Sequence, residues 1–554
     1  MKLIISDQTV RRITASLYYV IILLFIGAVV VSGVYQASYI FKANPHMPFL
    51  EPDNYEYYLF AKLAIAHPGL TPSNITNPYL IGVQQGFFEH PGLYLMPVYL
   101  YDILHLPLVW EFRILQAIAI FIIYLFSLLI VRKVIRALPV SKIYHWLAYT
   151  IVLTSFLLMQ YNEVIEWRGN EFIVAISIVI LYLIAWIYTK RDDARMVLAW
   201  LPITALAILA IWIWSAGGII VVPLVTILFA GLSFYKLLLS KHSRVWRYVA
   251  LAGAVGAVII FFFAGHIEYA LSIFTSHYGF SGCLSNPLHI GELSCLNVSN
   301  GLIAILMMLV FSSFALAAFL GNTIMSNKKK DYEYYLVGTF IAAILFLPLA
   351  MIYIRLLDLI APYFTILYAL GIVAMLSYFS KSGSNRIVLS LTIILILISA
   401  FVGQYLFYLS SSTLYSLANP AGLVNATEYI SSTQPNATVL TYFGYGGYME
   451  AYGHLRVYAD TIQGLNYTKI GQIDRVFGQN ISKSCQVLKT IQPQPDFIMI
   501  SNNMLNSSLF VNASNNSVLK NPQFFNNACG YTLQYDKKGF VVFLSNSNKR
   551  EGER

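Results

Sequence analysis

Four clusters of polar residues could do chemistry in this otherwise apolar chain. The first is Glu51-Pro52-Asp53, followed by Tyr55, Tyr57 and Tyr58. Carboxylates at a membrane face are hard oxygen ligands suited to Mg²⁺ or Mn²⁺, and an ordinary solvated acid would look the same. The second is the short stretch Glu163, Glu166, Arg168 and Glu171. It lies at the edge of a hydrophobic bundle, where charge faces a cavity or a partner; it reads as a cation site or as an interfacial cap in which the acids pair with Arg168. The third is His289-Ile290-Gly291-Glu292, flanked by Cys283 and Cys295. A disulfide there would hold Glu292 semi-rigidly, or simply staple a surface loop. The fourth is Arg355, in a run that ends at Asp358 and Pro362. Its planar fork of donors suits phosphate, and pairing with Asp358 is the alternative.

The elements that must position these groups are mostly transmembrane. The chain has 554 residues, 58% hydrophobic and only 11% charged, against about 25% charged in an average soluble domain. Apolar segments long enough to cross a bilayer as helix recur at 17–41, 112–131, 145–160, 172–189, 197–214, 216–235, 248–265, 301–321, 334–354, 360–379 and 387–409. This predicts a multispan region over 1–409. The net charge of +10 does not imply nucleic acid. Its basic residues gather in alternate loops, among them Arg132–Lys142, Lys190–Arg195, Lys236–Arg247 and Lys328–Lys330. The positive-inside rule makes those loops, and the N-terminus, cytoplasmic. The intervening loops 42–111, 161–171, 266–300 and 355–359, with everything after 410, are then outside. All four candidate sites fall on that side, as do the four cysteines, Cys283, Cys295, Cys485 and Cys529, in an oxidising space. The N-x-Ser/Thr sequons, such as Asn74, Asn297 and Asn436, share that sidedness, which an Asn- and Ser-rich exterior would also produce.

From 410 to 554 the long apolar runs stop. Strand-like runs at Thr438–Tyr442, Arg456–Ala459, Phe497–Ser501 and Phe540–Leu544, with a helix-compatible stretch at Ile470–Thr490, predict a small extracytoplasmic α/β domain. It opens on the glycine-rich aromatic turn Tyr442-Phe443-Gly444-Tyr445-Gly446. Such a turn lets backbone approach a ligand while rings supply rigid contact surface.

Taken in order and sidedness, these segments resemble the catalytic subunit of oligosaccharyltransferase, including its single-subunit archaeal and bacterial forms. That family has a multispan GT-C membrane part of about thirteen spans, against eleven here, and an outer C-terminal domain. Glu51-Pro52-Asp53-Asn54-Tyr55 is similar to its first outer-loop motif, His289-Ile290-Gly291-Glu292 to its T/S-I/V-x-E, and Arg168-Gly169-Asn170-Glu171 to a shortened second metal motif. Tyr442–Gly446, with the later Arg456 and Asp460, is similar to its W-W-D-Y-G region. The resemblance implies en bloc transfer of an oligosaccharide from a polyprenyl or dolichyl (pyro)phosphate to the asparagine of an N-x-Ser/Thr sequon. Asp53 and Glu292 would hold the acceptor amide. Asp53, Glu171 and Glu166 would bind the divalent cation, Mn²⁺ or Mg²⁺. Arg355 and Arg168 would contact the lipid phosphate, and Tyr442, Phe443, Gly444, Tyr445 and Gly446 the acceptor polypeptide, in a single-subunit enzyme that takes no nucleic acid. Gly444 stands where the family places the carboxylate that holds the sequon hydroxyl, so strict sequon reading is in question. Two other functions fit parts of the pattern. A different GT-C enzyme moving a single sugar needs Asp53 and a lipid site but no acceptor turn. A transporter would place its ionisable groups near the bilayer midplane rather than at its outer face.

Overall fold

The computed structural model describes residues 49, 52–71, 74–82, 90–135, 145, 148–149, 152, 169–189, 200–213, 366, 369–370, 373, 420–460, 467–502, 504, 510, 513 and 515–549. The helices of the N-terminal part are α1 (Pro52–Ala66), α2 (Pro91–Leu104), α3 (Leu108–Ile135), α4 (Gly169–Thr189) and α5 (Trp200–Ile213). They pack in series, α1 on α2, α2 on α3, α3 on α4 and α4 on α5. Helix α3 is long and apolar enough to cross a bilayer, and shorter apolar stretches occupy Phe172–Ile184 and Leu201–Ile213. These three helices cover the spans expected at 112–131, 172–189 and 197–214. The expected spans at 145–160 and 360–379 are met only at isolated helical positions, and the others lie outside the described residues. The segment read as one outer loop, 42–111, holds two helices of its own. Each begins at a proline, whose fixed φ and missing N–H suit a helix's first position.

The C-terminal region contains α6 (Pro420–Thr433), β1 (Thr438–Leu440), a 3₁₀ turn at Phe443–Tyr445, α7 (Gly446–Gly453), β2 (Arg456–Val457), α8 (Tyr467–Gly478), α9 (Ile481–Leu488), β3 (Phe497–Ser501), a second 3₁₀ turn at Pro522–Phe525, β4 (Tyr531–Lys537), β5 (Phe540–Ser545) and α10 (Asn546–Lys549). The strands form one sheet in the order β2-β1-β3-β5-β4. β1 lies parallel to both β2 and β3, while β3, β5 and β4 are antiparallel. β3 is buried at all five positions, as befits a central strand covered on both faces. Lys538 and Gly539 both have positive φ (53° and 78°) and form the two-residue hairpin between β4 and β5, the geometry that matches strand twist.

β4 has no counterpart among the expected strands. Its sequence, YTLQYDK, is half polar and mostly half-exposed, the pattern of an edge strand packed on one side only. The expected helical stretch over Ile470–Thr490 divides into α8 and α9. Gly478 ends the first, and Asn480 caps the second by accepting from the Lys483 N–H at 3.1 Å. Helix α6 approaches β5 closely: a Cβ on Gly422 would sit 2.6 Å from the Phe540 ring.

The opposite edge of the sheet is closed by the N-terminal part. The Val457 N–H donates to Tyr79 O (2.9 Å), and the Ile81 N–H donates to Val457 O (3.0 Å), a parallel bridge centred on Leu80 and Val457. The structural unit around the sheet therefore extends beyond 410–554 to include residues 79–81, which satisfy backbone groups that an open edge would leave unpaired.

Cys485 and Cys529 form a disulfide between α9 and the loop before β4, across 44 residues of sequence; Cys283 and Cys295 lie outside the described residues. Closing a loop of that size restricts the unfolded chain, worth about 2–4 kcal/mol. Replacing both Cys485 and Cys529 with Ala is expected to lower the denaturation midpoint of the C-terminal region in detergent-solubilised protein. The measurement is urea unfolding followed by proteolysis of that region, with and without reductant; wild type under reductant should approach the variant.

Candidate active site at the junction of the first outer loop and the C-terminal domain

Helix α1 carries Asp53 in its first turn, where the unsatisfied N–H groups favour an acid. The helix is not amphipathic in its first half: Asn54, Tyr55, Glu56 and Tyr57 are all buried, so that part is enclosed on every side, while residues 62–65 are half-buried. Asp53 itself is half-buried. Beside it, both polar atoms of the fully buried Asn54 amide lack a hydrogen-bond partner. Such orphans are rare in native proteins and call for an explanation in function.

One face of α1 docks on α7. The ring of Tyr55 lies 5.2 Å from Tyr448 and 5.7 Å from Tyr452, edge to face in both cases. Tyr58 stacks on Tyr452 at 5.6 Å, with planes 8° apart. Further along, Lys62 Nζ donates to Ala451 O at 3.3 Å. Tyr55 reaches back to Tyr448, whereas Lys62 lies close enough to His454, just beyond α7, for their charges to interact, so the two helices run in the same general direction with their N-termini toward one end. Phe49 closes the cluster at that end: its ring is 5.5 Å from Tyr55, whose hydroxyl donates to Phe49 O, and 5.7 Å from Phe112 at the start of α3. Burial raises the Tyr55 hydroxyl well above its ordinary pKa, so it remains a neutral donor.

This arrangement brings Asp53 and the 442–446 turn to the same end of the helix pair. Each lies two residues from the Tyr55–Tyr448 contact, Asp53 before Tyr55 and Gly446 before Tyr448. The turn is a 3₁₀ element that feeds directly into α7. Its rings face inward. Tyr442, Phe443 and Tyr445 are buried, with Tyr442 against Phe443, Tyr445 and Phe510, and Tyr445 against Phe540. Burial and the neighbouring Tyr442 push the Tyr445 hydroxyl up to about 12. Gly444 alone of the turn is half-buried rather than buried, so what the turn exposes is backbone at that glycine. Neither of its glycines has room for a side chain. A Cβ at Gly446 would meet Ala459 O at 2.5 Å, and one at Gly444 would meet the Tyr442 ring at 2.5 Å. A carboxylate at position 444 would require Tyr442 to move.

Behind the turn lies a buried acid pair. Glu450, in α7, and Asp460, after β2, are both fully buried and interact. Asn77, in the 74–82 segment, donates its amide N–H to Glu450 Oε2 at 3.0 Å, while its own oxygen accepts from the Tyr79 N–H. Burial raises the Glu450 carboxyl well above the usual carboxylate range; the charge of Asp460 adds to this and the Asn77 hydrogen bond opposes it. Lys469, which donates to Ile81 O, is lowered by burial, with Asp460 acting against that shift. The buried Glu450, bonded to Asn77 of the 74–82 segment, did not emerge from motif reading. Its signal was a charged residue inside an otherwise apolar helix, Tyr448-Met449-Glu450-Ala451-Tyr452.

The other expected site residues stand apart from this description. Glu171 lies in the first turns of α4. Glu166, Arg168, Glu292 and Arg355 lie outside the described residues. Among the described residues, no three His, Cys, Asp or Glu side chains gather closely enough to hold a metal ion.

No family model and no curated protein matches the chain, but solved structures do. An Archaeoglobus fulgidus oligosaccharyltransferase, tethered to an acceptor peptide containing an NVT sequon, superposes with a TM-score of 0.57 at 13% identity, over 94% of this chain and 74% of that one. Archaeal oligosaccharyltransferase AglB from the same organism, in complex with an inhibitory peptide and a dolichol-phosphate, gives 0.55 at 13% identity over the same shares. Arabinofuranosyltransferase AftD from Mycobacteria gives 0.50 at 14% identity, over 93% of this chain and 40% of that one.

Glu450 binds its proton more tightly when folded, so its contribution to stability is complete below the unfolded pKa of about 4.3 and declines as pH rises toward its raised folded value. Glu450→Gln, which keeps an acceptor for Asn77, should melt close to wild type near pH 4 and above it at pH 8. Thermal unfolding of the detergent-solubilised protein across that range checks this; parallel curves would show that the acid carries no penalty. The chain's fold is similar to that of solved membrane glycosyltransferases, an archaeal oligosaccharyltransferase among them.

Proposed function

We propose that this protein is a membrane oligosaccharyltransferase, moving a glycan en bloc from a polyprenyl or dolichyl (pyro)phosphate to the asparagine of an N-x-Ser/Thr sequon. The observation that carries this reading is the parallel docking of α1 on α7. It supports the reading because Asp53, the expected amide-binding acid, and the turn expected to meet the acceptor polypeptide each lie two residues from the Tyr55–Tyr448 contact. The shared fold with an oligosaccharyltransferase held on a sequon peptide supports it.

The chemical demand is specific. An amide nitrogen is a weak nucleophile because its lone pair is delocalised into the carbonyl. Asp53 and Glu292, each accepting an amide N–H, would hold the acceptor amide and favour a twisted form with a freer lone pair. The anchoring of α1 by Tyr55 holds Asp53 in place, which lowers the reorganisation needed to reach that geometry. Asp53 offers a half-buried carboxylate and Asn54 an unsatisfied amide oxygen, hard donors that suit Mn²⁺ or Mg²⁺. Asp53, Glu171 and Glu166 would hold that ion, which when bound supplies Lewis-acid charge at the leaving phosphate. Arg355 and Arg168 would add positive charge there. The backbone of the 442–446 turn would bind the acceptor chain. The apolar bundle, crossing the membrane several times from a cytoplasmic N-terminus, would hold the polyprenyl tail.

Gly444 favours a second reading. With no carboxylate at 444 and no room for one, the turn lacks a charged acceptor for a sequon hydroxyl. A GT-C enzyme that moves one sugar from a polyprenyl phosphate to a lipid or hydroxyl acceptor would not need it, and the fold is also that of an arabinofuranosyltransferase.

The test is transfer in vitro, with lipid-linked oligosaccharide, Mn²⁺ and an N-x-Thr peptide. Wild type should glycosylate the peptide, and Asp53→Ala should lose about a hundredfold or more in kcat/KM. Full peptide glycosylation by Asp53→Ala sinks the role given to that acid. Sugar transfer from a polyprenyl phosphate monosaccharide, with the peptide untouched, would select the second reading.

A further inference from the structure

The docking of α1 on α7 contains one residue that packing alone does not require. Lys62 sits one helical turn beyond Tyr58, and its ammonium lies 5.4 Å from the Tyr58 ring centroid and 5.9 Å from that of Tyr452. Those two rings are nearly coplanar in direction, 8° apart. A cation within about 6 Å of two aromatic faces is attracted to both. The same ammonium donates to Ala451 O. That carbonyl belongs to the last turn of α7, where backbone oxygens lack partners within the helix and the helix dipole favours positive charge. Lys62 is half-buried, and burial lowers its pKa. Lysines usually keep their head in water and bury only the stem; this one gives up part of its hydration to reach α7.

Lys62 is nine residues from Asp53 along the helix, about 14 Å at 1.5 Å per residue. It is too far to touch an acceptor amide held by Asp53. Its position instead sets how α1 lies along α7. We propose that Lys62, together with the Tyr58–Tyr452 stack, is a positioning latch that fixes Asp53 relative to the 442–446 turn. The latch rests on the function proposed above for what it positions, and on the observed contacts alone for its existence. Tyr55 and Tyr448 make the hinge-side contact next to the site. Lys62, Tyr58 and Tyr452 hold the far end, so a loss there lets α1 tilt about the Tyr55 contact, which changes the angle at which Asp53 is presented to the turn more than its distance from it.

The experiment uses the full-length protein in lipid nanodiscs, with Lys62→Met, which keeps length and loses charge, and Lys62→Arg, which restores it. Amide hydrogen exchange reports the latch directly. Lys62→Met should exchange faster over 52–66 and 446–453, with the β3–β5 sheet unchanged, and Lys62→Arg should return toward wild type. In transfer assays with lipid-linked oligosaccharide, Mn²⁺ and N-x-Thr peptide, Lys62→Met should lower kcat/KM for the peptide roughly tenfold to a hundredfold, with donor KM within about twofold of wild type. Unchanged exchange in the two helices overturns the latch. So does faster exchange spread over the whole C-terminal domain, which is the signature of a merely structural residue, and so does unchanged peptide kinetics despite loosened helices. If wild type makes no glycopeptide, the proposed function fails instead, and the exchange pattern alone decides the latch.

Discussion

The docking of α1 against α7 is the contact on which the rest of the described structure depends. Two short helices from opposite ends of the chain meet through tyrosines. Buried aromatic side chains supply large contact area at low entropic cost, and edge-to-face pairs add a preferred orientation. The same junction is tied at two further points. The 79–81 segment closes the edge of the sheet at Val457, and Asn77 reaches the buried Glu450. Three independent contacts between residues 52–81 and the C-terminal region make their relative placement a property of the fold rather than of a linker.

That placement has a cost, which falls on polar groups. Glu450 and Asp460 are buried together, and Asn54 is buried with neither of its amide atoms satisfied. Each orphaned polar group destabilises by about 1–3 kcal/mol. The aromatic cluster and the surrounding apolar core offset this. Such groups persist in native proteins mainly where a site needs them; here Asn54 adjoins Asp53 and Asp460 lies against Gly446 of the 442–446 turn.

The sequence carried some of this plainly. Apolar length located α3, α4 and α5, because a continuous run of Leu, Ile and Phe has few other readings. β-branched and aromatic runs located β1, β3 and β5, which are buried on the core side. β4 escaped because Tyr531–Lys537 is an edge strand whose polar half carries no strong signal. α1 escaped for the opposite reason: its first half is enclosed on all sides, so PDNYEYYLFAKLAIA shows no amphipathic period and reads as loop. Asp53 and the 442–446 turn were legible as residues, from their types and their likeness to a known motif. The docking of the two helices that carry them was not, since no local pattern links positions almost 400 residues apart. The inward orientation of Tyr442, Phe443 and Tyr445 was also hidden, because an aromatic residue in a glycine-rich turn reads equally as contact surface or as core.

The central claim is that Asp53 and the 442–446 turn serve one acceptor site. Photocrosslinking tests it most directly, using an N-x-Thr peptide with a photoreactive residue beside the asparagine, incubated with the full-length protein in nanodiscs and mapped by mass spectrometry. The account predicts adducts in both 52–54 and 442–447, competed away by unlabelled peptide. Specific adducts confined to one of these segments, or falling elsewhere on the chain, would contradict it.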